Sequence, residues 1–399
     1  MPPLDFRVLL IGLAVAIVAP PATAQQRDTT RRTAPADTSR PFVRGGVYDK
    51  PFQTRLLGRT TIGGYAEVHA RYQRVDGVRE EAGFEAKRFN LFANSRVSDY
   101  VRFAAELEFE DGGQEILLEF AAIDLRVHQA LTLRGGMLLS PLGRFNLSHD
   151  SPLNEFTDRP LVATDILGVA LSEPGVGILG QVPAGGAGRV TYEVYATNGF
   201  HDGLIANAAE GTRIPAGRRN FEDNNGAPAV VGRLAWSPRV GYEFGFSGHH
   251  GAYNVFNADG LEVDERRALS IAVADMEAEA FGVQIMGEYA IARLDVAPEL
   301  TGIFAERQRG LYLEGVREFG RGIVRTIPGS SFAAKVRFDA VDFDTEQVGQ
   351  SVEQITAGLN FRPTRDTAFK FDFVRGRSHD RFNNRAHHAF LLASIATYF

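Results

Sequence analysis

The chain has 399 residues, 44% hydrophobic and 23% charged, ample for a large core. Its 43 Lys and Arg against 49 Asp and Glu give a net charge of -6, which argues against the concentrated basic face of a nucleic-acid binder. It has no cysteine, so disulfides, thiolate zinc sites and cysteine nucleophiles are excluded together.

Residues Val8 to Ala19 form an apolar run of 12 residues, too short for a membrane-spanning helix, which needs about 20. Pro20 and Pro21 break it, and Ala22-Thr23-Ala24 has the small-x-small pattern of a cleavage site. We expect residues 1–24 to be a cleaved signal peptide and the chain to be exported. Residues 25–58 hold Arg27, Arg31, Arg32, Arg40 and Arg44 among Thr, Pro and Asp, without apolar periodicity. They read as a flexible segment ahead of a domain at 59–399.

From residue 60 the pattern has period two. Val101, Phe103, Ala105, Leu107 and Phe109 alternate with Arg102, Glu106, Glu108 and Glu110. Phe369, Phe371 and Phe373 alternate with Lys370 and Asp372. Successive strand side chains point to opposite faces, so one face is apolar and the other charged. Sixteen strands are expected: 60–73, 84–96, 101–110, 115–127, 131–139, 174–182, 188–198, 228–238, 241–250, 267–276, 280–291, 309–318, 332–343, 353–362, 367–376 and 387–399. Turns after strands two, four, eight, ten and fourteen are short, and most loops after odd strands are long; 319–331 is longer than this rule predicts. A soluble β-sandwich would also alternate. Here, however, the apolar face mixes Ala and Gly with large residues, and the opposite face carries both signs of charge. A closed antiparallel transmembrane β-barrel turns that charge toward enclosed water and leaves no sheet edge. Phe399 ends the last strand, with apolar residues at alternate positions before it. This resembles the assembly signal of Gram-negative outer-membrane proteins, although Thr397 stands where an aromatic is usual.

Short blocks extend the likeness. They are Lys87-Arg88-Phe89, Ile123-Asp124-Leu125-Arg126 leading into 133–143 (LRGGMLLSPLG), Tyr195-Ala196-Thr197-Asn198-Gly199, Gly287-Glu288-Tyr289-Ala290, and 357–363 (AGLNFRP). With these blocks in this order, residues 60–399 resemble the phosphate-selective porin O and P family. The resemblance implies a sixteen-stranded, usually homotrimeric diffusion channel in the bacterial outer membrane, surrounded by lipid. Anion or phosphate selectivity does not follow from it.

The longest connection, 140–173, is the third outer loop, which in porins folds inward and narrows the channel. It carries Arg144 and Arg159 beside Asp150, Glu155, Asp158 and Asp165, the opposing charges of a constriction. An ordinary solvated surface loop is the alternative. By parity the lumen wall receives Arg88, Arg102, Arg134, Lys335 and Arg337 among its bases, and Glu67, Glu106, Glu108, Glu288 and Asp372 among its acids. Arg88, Arg102 and Arg134 could form a basic stripe that holds anions. The more economical reading pairs them with Glu106 and Glu108.

Other signals carry less. Gly175-x-Gly177-x-x-Gly180 has dinucleotide-loop spacing but lies in an expected strand with no helix after it. His249-His250 and His387-His388 point to opposite strand faces and cannot chelate one metal as pairs. Ser148, His149, Asp150 and Ser151 form the only local cluster for a rival reading, an outer-membrane β-barrel hydrolase. A non-conducting structural barrel is a third. The expected function is passive diffusion of small hydrophilic solutes, anions such as phosphate among them. Such a protein makes or breaks no bond, is no enzyme and needs no cofactor or metal.

Overall fold

The computed structural model describes residues 46–51, 54–55 and 59–399. The expected signal peptide and most of 25–58 lie outside the described residues. A seventeen-stranded antiparallel sheet comprises sixteen long strands and the two-residue strand Thr54–Arg55, which pairs with Thr61 and Ile62. The long strands are β1 (Thr60–Val75), β2 (Val78–Arg96), β3 (Val101–Glu110), β4 (Glu115–His128), β5 (Leu131–Leu139), β6 (Ser172–Pro183), β7 (Arg189–Thr197) and β8 (Ala229–Ser237). They continue as β9 (Glu243–Ala252), β10 (Ala268–Ala280), β11 (Val283–Leu294), β12 (Arg307–Phe319), β13 (Ser331–Asp342), β14 (Ser351–Thr364), β15 (Thr367–His379) and β16 (Arg385–Tyr398). Each pairs with its neighbour in sequence, and β16 pairs with β1 from Val75↔His388 to Tyr65↔Tyr398. The sheet is thus closed, and all sixteen expected strands are present.

The largest differences from the expected boundaries fall at two tight turns. The β1–β2 hairpin closes at Asp76-Gly77, with φ of 47° and 83°, so β2 begins well before residue 84. Two positive φ values match the right-handed twist of the flanking strands, and an Asp-Gly pair supplies them readily. The β10–β11 turn is Phe281-Gly282, with φ of 55° and 72°, rather than 277–279. Short turns do gather on one rim, except for the connection at 320–330. Long loops gather on the other, although 76–77 and 111–114 are short there.

The burial pattern is inverted relative to a soluble protein. Val68, Leu107, Ile123, Val176, Leu234, Phe246, Val336, Ile355, Phe371 and Leu391 are exposed, while Glu106, Asp339 and Lys370 are fully buried. The outer wall carries the apolar strand face and the lumen carries the charged one. Cross-strand aromatics mark the short-turn side. Phe319, Phe332, Phe361 and Phe369 form a ladder across β12–β15 with successive centroids 5.9, 5.1 and 6.2 Å apart. In transmembrane barrels, aromatic rings gather in girdles at the lipid headgroup level.

The seam between last and first strands is tightly packed. Phe399 and Gly64 exchange backbone hydrogen bonds of 3.1 and 3.0 Å, and the Phe399 ring stacks on Phe89 at 5.5 Å. A Cβ on Gly64 would lie 2.2 Å from the Asn90 carbonyl oxygen and 2.6 Å from the Phe399 ring. Gly64→Val therefore forces both apart, an overpacking cost of about 1–3 kcal/mol. We expect it to lower the temperature at which the folded barrel converts to its unfolded, slower-migrating form on a gel; an unchanged conversion temperature would show that the seam tolerates the added volume.

Candidate functional site

The loop between β5 and β6, residues 140–171, folds into the lumen and is bonded to the wall around much of its circumference. Wall acids accept from its backbone amides. Phe145 donates to Glu288 Oε1 at 2.5 Å, Thr157 to Asp372 Oδ2 at 2.8 Å, and Leu161 to Asp339 Oδ1 at 3.1 Å. Wall cations donate to its carbonyls. Lys335 reaches Glu155 O at 2.5 Å, Lys370 reaches Ser151 O at 2.7 Å, and Arg337 reaches Asp158 O at 3.0 Å. Both kinds of buried charge thereby gain partners, which burial requires. The other side of the loop is apolar: Leu142, Phe145, Val162, Ile166 and Leu167 pack with Leu269, Val273 and Tyr312 of the wall.

The structure places each expected residue as follows. Arg144 pairs with Glu243 at 3.4 Å and with Glu277. Asp150 pairs with Lys50 and accepts from the Tyr398 hydroxyl at 2.9 Å. Glu155 bonds Arg362 at 2.9 Å and Asn360 at 2.6 Å. Asp158 pairs with Arg71. Lys335 pairs with Asp372 at 2.6 Å, and Arg337 with Asp339 at 2.9 Å. Asp165 stands apart, bonded to the Thr164 hydroxyl, and burial raises its pKa.

Arg88, Arg102 and Arg134 do not form one stripe. Register sets Arg88 opposite Glu110, whereas Arg102 lies opposite Arg96 toward the short-turn rim. Arg102 and Arg134 share a level, but Asp124 stands between them on β4. Each cation is engaged. Arg88 meets Glu67 at 3.0 Å, Glu108 at 2.9 Å and Glu110 at 3.1 Å. Arg134 grips Asp124 through two bonds of 2.7 and 2.8 Å. Arg102 lies 3.9 Å over the Tyr48 ring. Pairing, rather than a free basic ladder, describes this wall, although the acids are mostly other than Glu106.

Ser148, His149, Asp150 and Ser151 diverge. Ser148 bonds Arg144 O at 3.2 Å, His149 bonds Asn146 O at 2.7 Å and faces Glu119 at 2.7 Å, and Ser151 bonds Glu67 at 2.5 Å. The four assemble no nucleophile–base pair among themselves. Gly177 and Gly180 are packing glycines, since a Cβ on either would sit 2.1 Å from a neighbouring carbonyl oxygen. His249 points inward against Phe200 and His250 outward to Ser270. Among the described residues no group of His, Asp and Glu is arranged to hold a metal.

Two contributors carried no sequence signal. Residues 46–51, within the segment expected to be flexible, lie inside the barrel, and their Lys50 meets Asp150 and Glu106. Burial alone would lower the Lys50 pKa; the facing carboxylates of Asp150, Glu106 and Glu119 outweigh it and hold the pKa above the usual value. The connection 198–228 also folds inward, burying Phe200, Leu204 and Ile214, and Arg218 bonds Gly168 O at 2.7 Å. Between this connection, the third loop and β2–β4 lies a cavity of about 260 Å³. Lys87, Arg88, Arg159, Arg218 and Arg219 line it against Glu108, Glu110 and Glu119.

No known family model matches the chain. An uncharacterised protein of Aquifex aeolicus is 26% identical over 357 residues, spanning 82% of this chain and 78% of that protein. Solved structures share the fold at low identity. An anion-selective porin from Comamonas acidovorans superposes with a TM-score of 0.58 at 11% identity, covering 85% of this chain and 99% of that one. The trimer form of OmpT, an outer-membrane protein of Vibrio cholerae, gives a TM-score of 0.52 at 11% identity over 86% and 100% of the two chains. The chain therefore has the barrel fold of outer-membrane porins.

The absence of cysteine permits a direct check of loop placement. The hydroxyls of Thr157 and Ser394 lie 3.2 Å apart across the loop–wall contact. We expect the double variant Thr157→Cys, Ser394→Cys to form an intramolecular disulfide under mild oxidation, seen as a thiol-reversible gel shift. Free thiols after oxidation would place the loop elsewhere.

Proposed function

We propose that the protein is an outer-membrane channel for passive diffusion of small hydrophilic solutes, with residues 140–171 at its narrow point and anions favoured over cations. The observation that carries this reading is the loop bonded across a charged lumen inside a wall whose outer face is apolar. A loop so placed narrows the cross-section, and permeation through such a barrel is set by radius and by charges at the constriction. The preference for anions is supported by the cavity beside the loop, where five basic side chains face three acidic ones. The proposed homotrimer follows from the family resemblance, and the trimeric form of a protein with the same fold is consistent with it. The hydrolase alternative would need a site other than the dispersed cluster at 148–151. In a purely structural barrel the loop would serve only to pair the buried charges of the lumen, and no solute would cross.

Purified protein in planar bilayers should show discrete conductance steps. Removing 144–160 should raise single-channel conductance about twofold or more; an unchanged conductance would reject this loop as the constriction. In a salt gradient, Arg159→Ala with Arg219→Ala should move the reversal potential toward cation preference, and no movement would remove the cavity from the selectivity argument. Absence of steps altogether would favour the structural reading.

A further inference from the structure

The surroundings of Lys50 form a cage whose chemistry suits an ammonium head. Glu106 Oε2 lies 2.9 Å from its Nζ, and Asp150 provides the second carboxylate. The Phe92 and Phe120 rings stand 4.8 and 5.8 Å from the same nitrogen. Carboxylates with aromatic faces are the usual way to hold an organic cation. All of these groups belong to the barrel or the third loop, and they orient one another. Asn90 donates to Glu106 Oε1 at 2.7 Å and to Glu119 at 3.4 Å, while Tyr398 holds the far oxygen of Asp150 at 2.9 Å. Glu106 and Asp150 are each held by a partner other than Lys50.

Lys50 itself reaches the cage on a short strand of chain. Gly46 donates to Leu147 O at 2.7 Å, and Val47 packs against Ala104, Phe120 and Leu139. The fit leaves one acceptor over. Asn90 is fully buried, and its Oδ1 has no donor among the described residues. A primary ammonium has three N–H donors, and Glu106 and Asp150 account for two of those of Lys50.

We propose that this cage is a binding site for primary alkylammonium ions, and that Lys50 occupies it as a tethered internal ligand. A tether confers a high effective concentration, so free amines compete poorly while Lys50 is present. A solute bearing such a head group displaces residues 46–51 and at the same time clears them from the lumen. This inference rests on where the cage lies, not on whether the barrel conducts.

The test uses the full mature chain in detergent, with n-butylammonium chloride as probe and n-butanol as the neutral control. By calorimetry, Lys50→Ala should bind butylammonium at least about tenfold more tightly than the parent protein. Adding Glu106→Gln should abolish the gain, and butanol should not bind. Equal affinity in parent and Lys50→Ala, or equal binding of butanol, would overturn the proposal. Removing Lys50 also strands buried carboxylates, so refolding gives a second readout. Lys50→Met should refold in higher yield with butylammonium present than without it. Failure of that rescue, while Lys50→Met with Glu106→Gln folds, would overturn it too. Binding without conductance would retain the site and reject the channel; conductance without binding would do the reverse.

Discussion

In hydrocarbon, every backbone N–H and C=O must be paired within the protein, and for strands that means a sheet without edges. This sheet meets that requirement, and the rest of the structure depends on its closure. Pairing of β16 with β1 closes the ladder, and the last residue is drawn into it through Gly64. Once the sheet is closed, period-two alternation has one workable orientation. Val68, Leu107 and Phe371 face outward, and Glu67, Glu106 and Asp372 face inward.

Turning charge inward creates a second problem. The lumen holds too many ionised groups in too little water, and buried ions without partners are costly. The third loop resolves much of this through its main chain. Lys335, Lys370 and Arg337 are solvated by its carbonyls, while Asp339, Asp372 and Glu288 are solvated by its amides. The loop is therefore a structural part of the wall's electrostatics as well as an obstruction. Residues 46–51 serve the same end where the loop's own Asp150 would otherwise stand beside Glu106.

What could be read from the sequence is what depends on local pattern. Alternation over Val101–Glu110 needs only neighbouring residues, and it located β3 at both ends. The length and mixed charges of 140–173, taken with the resemblance to porins, led to the expectation of an inward loop. Turn positions were less legible, because Phe281 is not a residue type that advertises a positive φ. Ion pairing was the least legible. Asp158 meets Arg71 and Asp150 meets Tyr398 across long stretches of chain, and no local pattern encodes such matches. Lys50 lay in a segment without periodicity, and nothing near it distinguishes a lysine that enters the barrel from one that stays in water.

The contact between Asp150 and Tyr398 spans 248 residues, and Thr157 reaches Ser394 across 237. The third loop therefore cannot gain its full set of partners until the final strand has arrived. Contacts this distant in sequence are slow to form, since chain ordering precedes any reward. A chain stalled one strand short would leave Asp150 and Thr157 without their partners Tyr398 and Ser394, on an open sheet edge.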